Sequence, residues 1–364
     1  MSEPALPMMW HAPNRGELRE TIAAVLRTAD APGAAVALVV DGRPTLSVGV
    51  GHRNLARDLP LDAAARTYAY SITKTMLAVA ALRLAETGRL MLDAPIRAIL
   101  PDAALSERAT LRRLLNHTAG VPDYGAMPEH HAALRADPTA PWTSAEFLDR
   151  TLPGGLRFPP GEGWGYSNIG YLLVRLAIER TTGQSLRTAL VFRPAAMRQT
   201  CIAESLADAA GLTPGYSILL DRDGALRDMT RRYHPGWVSH GAAIATAADL
   251  TRFLEALFSD RLLRPESLAT MLEVTPVPGA HPPFVRPAYG LGLMIDLGSP
   301  WGTVAGHAGS GPGYATAAFH ATDAAGRRVT SAALVNRDGS DAATRIAFAL
   351  IAACAQGACG NQGD

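Results

Sequence analysis

The sequence predicts an α/β (α+β) fold: an antiparallel sheet flanked by helices, joined to an all-α second lobe. Three observations predict it. Strand-like apolar runs lie near both ends of the chain, at Gly33–Val40 and Thr45–Gly51 and again in four stretches between Tyr289 and Val335. Helical spacing opens the chain at 15–28 and closes it at 342–354. The long middle, from Gly88 to about Ala245, holds helical segments separated by Pro- and Gly-rich loops. Strands from both ends can share one sheet covered by the first and last helices, leaving the middle as a second lobe. The expected division is a sandwich domain of 1–88 with 246–364, and a mostly helical inserted domain of 89–245. With 364 residues, 48% of them hydrophobic, the chain can bury a core of that size.

In order, Leu18, Ile22, Val25 and Leu26 recur at helical spacing and predict a surface helix over 15–28. The two strand-like runs that follow meet at Asp41-Gly42, a strong hairpin signal. From Ser71 to Ala85 the text is apolar nearly all round, which predicts a buried helix ending at Gly88. Leu111–Leu115 reads as a short helix, Thr143–Thr151 as a helix with an N-cap, and Asn168–Thr182 as an apolar helix stopped by Gly183. The Gly/Pro-rich stretch 153–165 reads as an irregular loop. Thr246 opens another helix through Phe258, and five prolines in 274–287 make that stretch a connector or lid. The returning strands are Tyr289–Leu297, Val304–Gly306, Tyr314–Phe319 and Val329–Val335. The Gly-rich end after Cys354 reads as a disordered tail, and no internal repeat is present.

Composition excludes several classes. A net charge of +1 writes no nucleic-acid or membrane attraction into the global balance, and no apolar run reaches membrane-spanning length. Three cysteines, Cys201, Cys354 and Cys359, make no disulfide framework and read as free thiols, and no Cys-x-x-Cys provides a thiolate zinc site. His130-His131, His234 and His240 read as surface groups, since no His-Glu-x-x-His is present; no metal and no cofactor is expected. Met1 to Arg15 lacks a basic segment followed by an apolar one, so a cytoplasmic location is the reading.

One residue type points to chemistry. Of the 34 basic residues only one is lysine, Lys74. Arginine substitutes for lysine as a solvated charge but not where an amine must lose its proton. Ser71 stands three residues earlier, on the same face of a helical turn. A serine becomes a good nucleophile when a base takes its proton, and Ser-x-x-Lys supplies both parts. Placement at a helix N-terminus and burial both favour a neutral amine. The alternative is that Ser71 only caps the helix while Lys74 snorkels from its first turn.

Two further stretches could meet this pair. Tyr166-Ser167-Asn168 joins the 153–165 loop to a helix; a phenol can relay protons and a carboxamide can hold a substrate amide. Ser167 or Asn168 could equally be an ordinary N-cap. Gly306-His307-Ala308-Gly309-Ser310-Gly311 follows a strand, and such a glycine-rich edge lets backbone N–H groups approach a ligand. The N–H of Ser310 with that of Ser71 could form an oxyanion hole, and His307 could bind a carboxylate or move a proton. The alternative there is a turn with a solvated histidine. No Gly-x-Ser-x-Gly is present, which argues against an α/β-hydrolase.

Ser71-x-x-Lys74, Tyr166-x-Asn168 and His307-x-Gly309, in that order, resemble the three motifs of serine β-lactamases and penicillin-binding proteins. The Tyr and His forms are similar to the class C β-lactamase branch with its DD-peptidase, D-amino-acid amidase, aminopeptidase and esterase relatives. Leu114–Tyr124, Phe158–Gly161, Tyr166–Tyr171 and Tyr289–Gly292 add to the resemblance, which covers about residues 30–340. It implies a β-lactamase/transpeptidase-like fold and a hydrolase acting on a small amide, ester or peptide through an acylated Ser71. It implies that Lys74 and Tyr166 share proton transfer, that Asn168 orients a substrate amide, and that Gly309 and Ser310 line the oxyanion side. His307 stands where β-lactamases usually carry Lys, which leans towards peptidase, amidase or esterase specificity. The rival is a catalytically retired binding protein on the same fold; against it, all three motifs and the sole lysine are intact. The loops 121–142, 211–240 and 274–287 are expected to wall the pocket.

Overall fold

The computed structural model describes residues 14–103, 105–190, 195–221 and 223–356. Thirteen strands are β1 (Gly33–Val40), β2 (Arg43–Gly51), β3 (Thr67–Tyr68), β4 (Cys201–Ala203), β5 (Tyr216–Ser217), β6 (Arg227–Asp228), β7 (Ala242–Ala245), β8 (Thr275–Pro276), β9 (Pro287–Tyr289), β10 (Met294–Asp296), β11 (Val304–Gly311), β12 (Tyr314–Ala321) and β13 (Val329–Val335). The α-helices are α1 (Arg15–Thr28), α2 (Ile72–Glu86), α3 (Leu111–Leu115), α4 (Pro128–Ala136), α5 (Ser144–Thr151), α6 (Asn168–Thr182), α7 (Leu186–Ala189), α8 (Ala247–Leu257), α9 (Pro265–Met271) and α10 (Ala342–Gln356).

The main sheet is antiparallel in the order β2-β1-β13-β12-β11-β10-β9-β8. Its centre joins the two ends of the chain, Ala34 pairing with Val335 and Val40 with Val329. Asp41 and Gly42 both take positive φ, which is what a two-residue hairpin between right-twisted strands requires. All eight residues of β1 are buried because both sheet faces are covered. One face packs a core from α1 and α10, with Ile22, Phe319, Ile346 and Phe348 in it. The other face packs α2 and α8 and continues without a break into the helical middle of the chain. The strongest sequence signals hold: α1 spans 15–28, α8 has its Thr246 cap and α6 its left-handed Gly183 stop, while Asn14 caps α1.

Four differences have physical reasons. The middle segment also carries β4, β5, β6 and β7, of which β3-β7-β4 form a small sheet; strands of two to four residues are too short for a period to register. The stretch expected as one strand from Tyr289 to Leu297 is β9 and β10 around a turn, because Gly292 takes a positive φ of 75°. The glycine-rich stretch after Gly306 is the outer half of β11, not a turn. Part of the proline-rich connector is the edge strand β8, where a missing N–H is tolerated. Cys201 and Cys354 are free thiols, Cys354 buried in α10. Cys359 and the expected disordered tail lie outside the described residues. No helix among the described residues is long and apolar enough to cross a membrane.

Candidate active site

Ser71 precedes α2 at the seam between the sheet and the helices. Its side chain makes no capping hydrogen bond, so it is not held as an N-cap. Tyr70 before it is in the left-handed region, φ 45°, an uncommon conformation for a bulky residue. It is held there by its buried hydroxyl, which donates to the Pro312 carbonyl at 2.6 Å. Strain fixed in this way presents the next side chain to the cavity.

Lys74 is fully buried one turn into α2. Its Nζ lies 3.1 Å from Ser71 Oγ and 2.7 Å from Asn168 Oδ1. It also sits 3.2 Å from His240 Nε2 and over the Tyr166 ring, 4.8 Å from the centroid. Burial drives its pKa well below that of an ordinary lysine, while the Asp123 carboxylate pulls it part of the way back. Burial thus favours the free amine over the ammonium at this position.

Tyr166 lines the same cavity as Ser71, with its hydroxyl towards the Ser71 side chain. Burial raises its pKa above that of an ordinary tyrosine, and the hydrogen bond to Ser71 only partly offsets this. Ser167 supplies the N-cap of α6, its Oγ accepting from Gly170 N at 2.9 Å, which leaves Asn168 free to turn inward. Asn168 is fixed by Asp123, whose two oxygens accept from its backbone N–H at 2.7 Å and its Nδ2 at 3.3 Å.

β11 passes close to Ser71. A Cβ on Gly309 would lie 2.4 Å from the Ala69 carbonyl oxygen and 2.9 Å from Ser71 N, so only glycine lets the strand come so near. Gly311 and Tyr314 close the two-residue hairpin between β11 and β12, and the pairing alternates from there. The N–H of Ser310 consequently points away from β12. β10 covers β11 only at Val304–Gly306, so that side is open at Ser310. The Ser71 N–H has no hydrogen-bond partner among the described residues. Both donors are therefore unspent among the described residues where β11 runs beside Ser71, as an oxyanion site needs.

His307 is elsewhere. It is 1% exposed, within hydrogen-bond reach of Tyr289 Oη at 2.8 Å, and not among the residues lining the cavity at Ser71. Burial, and then Lys74, push its pKa down to about 3. It is a neutral second-layer group below Tyr166, and so is not placed to hold a carboxylate by charge.

Three residues escaped sequence reasoning. Asp123 lies in a loop that showed only its resemblance. His240 read as a surface group but is 2% exposed against Lys74, with Gly241 beyond it at φ 92°. His117 carried no signal of its own; it is buried, accepts from Ser167 N at 3.2 Å through Nδ1, and packs 4.3 Å from the Tyr166 ring. A lone histidine carries no local sign of what it will meet in space. His130 is likewise buried, among Tyr124, Phe147 and Trp237.

Ser71 opens onto a cavity of about 610 Å³ walled by Tyr124, His131 and Leu134 from one loop region and Leu219, Tyr233 and Trp237 from another. A second cavity of about 500 Å³ shares Tyr166 and Met294 with it and is lined by Val277, Phe284 and Pro287. All three loop regions singled out in the sequence thus contribute walls. Neither cavity is lined by Lys or Arg; the one carboxylate in both linings is Asp341, exposed beside α10. No group of three or more His, Cys, Asp or Glu that could hold a metal ion occurs among the described residues.

The family model described as Beta-lactamase matches residues 18–355. Penicillin-binding protein 4* of Bacillus subtilis (strain 168) is 27% identical over 286 residues, 73% of this chain and 60% of that protein. A D-aminopeptidase of Cereibacter sphaeroides is 26% identical over 329 residues, 88% of this chain and 60% of that protein. The chain thus spans about 60% of the length of these curated relatives. The crystal structure of a D-stereospecific amidohydrolase from Streptomyces sp. superposes with a TM-score of 0.77 at 27% identity, covering 92% of this chain and 99% of that one.

Proposed function

This chain belongs to the β-lactamase family, and on that premise we propose that it is a serine hydrolase cleaving a small amide, ester or peptide through an acyl-enzyme at Ser71. The observation that carries the reading is the chain's only lysine, fully buried, with Nζ 3.1 Å from Ser71 Oγ. A relic under no demand for an ionisable amine would not keep Lys there among arginines.

The steps follow from the geometry. Lys74 takes the Ser71 proton as Oγ bonds to the substrate carbonyl carbon, and the carbonyl oxygen becomes an oxyanion held by the N–H groups of Ser71 and Ser310. The tetrahedral centre collapses, the bond to the leaving nitrogen or oxygen breaks, and Tyr166 passes the Lys74 proton to that atom. Water then attacks the ester carbonyl, giving its proton to Lys74 through Tyr166. The second collapse breaks the Oγ–C bond, Oγ recovers the proton, and a carboxylic acid leaves. Asn168, anchored by Asp123, is placed both to orient Lys74 and to meet the substrate amide.

Within this class we favour amides of amino acids bearing a free amine. Cavities without Lys or Arg in their linings offer no cation for a substrate carboxylate, and Asp341 at the rim, paired only loosely with Arg345 at 3.9 Å, offers a partner for an ammonium. Relatives named for D-aminopeptidase and D-stereospecific amidohydrolase activity support that choice. The test begins with a short-chain p-nitrophenyl ester and Ser71→Ala. Turnover that disappears with Ser71 supports the acyl-enzyme; turnover indifferent to Ser71 overturns it. D-phenylalanine amide, its N-acetyl derivative and benzylpenicillin follow. The free amine is expected to be the best of the three, and a preference for penicillin would refute the choice of substrate.

A further inference from the structure

We propose that His240 is a positioning residue that holds Lys74 with its lone pair on Ser71 and accepts one N–H of that nitrogen in both its neutral and its protonated form. The inference rests on the acyl-enzyme reading above but concerns a residue outside the three motifs.

A neutral amine has two N–H groups and one lone pair. Three groups surround Lys74 Nζ within hydrogen-bond distance: Asn168 Oδ1 at 2.7 Å, Ser71 Oγ at 3.1 Å and the His240 ring, with Nε2 at 3.2 Å. Asn168 Oδ1 can only accept, because the Nδ2 of the same carboxamide is turned to Asp123. If His240 accepts as well, both N–H groups are spent and the lone pair has one direction left, towards the Ser71 hydroxyl. The ring is in the state this demands. A neutral imidazole has one bare nitrogen, and both ring nitrogens lie near Nζ, Nε2 at 3.2 Å and Nδ1 at 3.4 Å, so either tautomer presents an acceptor.

The same cage serves the ammonium. With three N–H groups, Lys74 keeps Asn168 and His240 and gives the third to Ser71 Oγ, which has just lost its proton. No group turns over between the two states, so the proton arrives in a site already arranged for it. His240 itself stays neutral. Burial is the main reason, and Arg175 from α6, with Lys74 from α2 once it is protonated, adds to it; His307 from β11 faces it as a neutral ring. Asp123, the carboxylate of this neighbourhood, is turned to Asn168. Removing the ring therefore takes away an acceptor and not a charge.

Because Lys74 is the only lysine in the chain, protein grown on lysine labelled with ¹³C at Cε gives a single lysine resonance, and its shift against pH reports Lys74 directly. His240→Leu fills the ring volume without an acceptor, and His240→Gln restores an acceptor. A charge-assisted hydrogen bond favours the ammonium, so its loss should lower the Lys74 midpoint in His240→Leu by about one pH unit. The acid limb of kcat/KM should move by the same amount, and kcat should fall about tenfold to a hundredfold. His240→Gln should return both midpoints towards wild type. A Lys74 midpoint unmoved or raised in a folded His240→Leu overturns the proposal, as does a Gln variant no closer to wild type than Leu. Should the Leu variant not fold, the Gln variant decides alone: a midpoint within about 0.3 unit of wild type supports an acceptor role, and a larger shift refutes it. The resonance is read without substrate, so failure of the acyl-enzyme reading would show in Ser71→Ala turnover and not here.

Discussion

The closest approach in the site is that of β11 to Ser71, and Gly309→Ala tests what it is for. The added methyl would sit 2.4 Å from Ala69 O, 2.7 Å from Thr316 Oγ1 and 2.9 Å from Ser71 N. The first of these is about 1 Å inside ordinary van der Waals contact. Thr316 cannot simply turn aside, since its hydroxyl donates to Ala69 O or Gly309 O at 3.1 and 3.2 Å. The strand must therefore recede from Ser71 by something near 1 Å. An oxyanion donor works at about 2.7–3.1 Å, and a recession of that size takes one N–H out of range. Loss of one such donor costs about 10²- to 10³-fold in kcat. Overpacking costs about 1–3 kcal/mol of stability, which a fold of this size survives. The assay is p-nitrophenyl ester turnover beside thermal unfolding of the same sample. A folded Gly309→Ala protein with wild-type kcat would refute the placement of the oxyanion between Ser71 and Ser310.

Other perturbations give distinct results. Lys74→Arg puts a group that stays protonated against Ser71, and ester turnover should drop by at least about 10³-fold, with Lys74→Met as the control for loss of the charge. Asp123→Asn keeps an acceptor for Asn168 and removes the carboxylate that raises the Lys74 pKa, so the acid limb of kcat/KM should shift to lower pH; a shift upward would exclude that role. His307 titrates at about 3 in the fold and near 6.5 in the unfolded chain, so below about pH 6.5 only the unfolded chain takes up its proton and stability falls. Guanidinium midpoints between pH 6 and 4 should show this dependence reduced in His307→Gln by up to about 1.4 kcal/mol per pH unit, and an unchanged slope would place the proton elsewhere. Tyr166→Phe should slow amides at least about tenfold more than p-nitrophenyl esters, because the nitrophenolate leaves without a proton; equal slowing would exclude Tyr166 as the donor to the leaving group.

What was legible was what is local. Ser71 and Lys74 are three residues apart on one helix, so their contact is fixed by helix geometry before any tertiary structure forms. The Thr246 cap, the Gly183 stop and the Asp41-Gly42 turn are likewise short-range devices. β11 was half legible: Val304–Gly306 carries apolar residues, whereas Ala308–Gly311 has no large side chain to show a period, and its strand form comes from pairing with β12. α4 was missed although Pro128 sits at its first turn, where proline suits a helix start. Asp123 and His240 were illegible in a stricter sense. Their partners lie 45 and 166 residues away, and only the packing of α2 against α6 and β7 brings them together.

That packing also bears on which group is the base. Tyr166 and Lys74 both touch Ser71, and either could in principle take its proton. Burial acts on them in opposite senses, because it disfavours whichever form is charged. For Tyr166 the charged form is the base, so burial makes the phenolate scarce. For Lys74 the charged form is the acid, so burial favours the free amine. Within the proposed acyl-enzyme mechanism this assigns the base to Lys74 and makes Tyr166 the hydroxyl through which its proton reaches the leaving group. The neutral histidines beside them, His117, His240 and His307, keep the pocket free of other cations. When the Ser71 proton arrives it forms a cation with Asp123 as the neighbouring carboxylate, one residue away through Asn168. A surface lysine would gain nothing from that arrangement, which explains why a chain otherwise written in arginine keeps its only amine at this point.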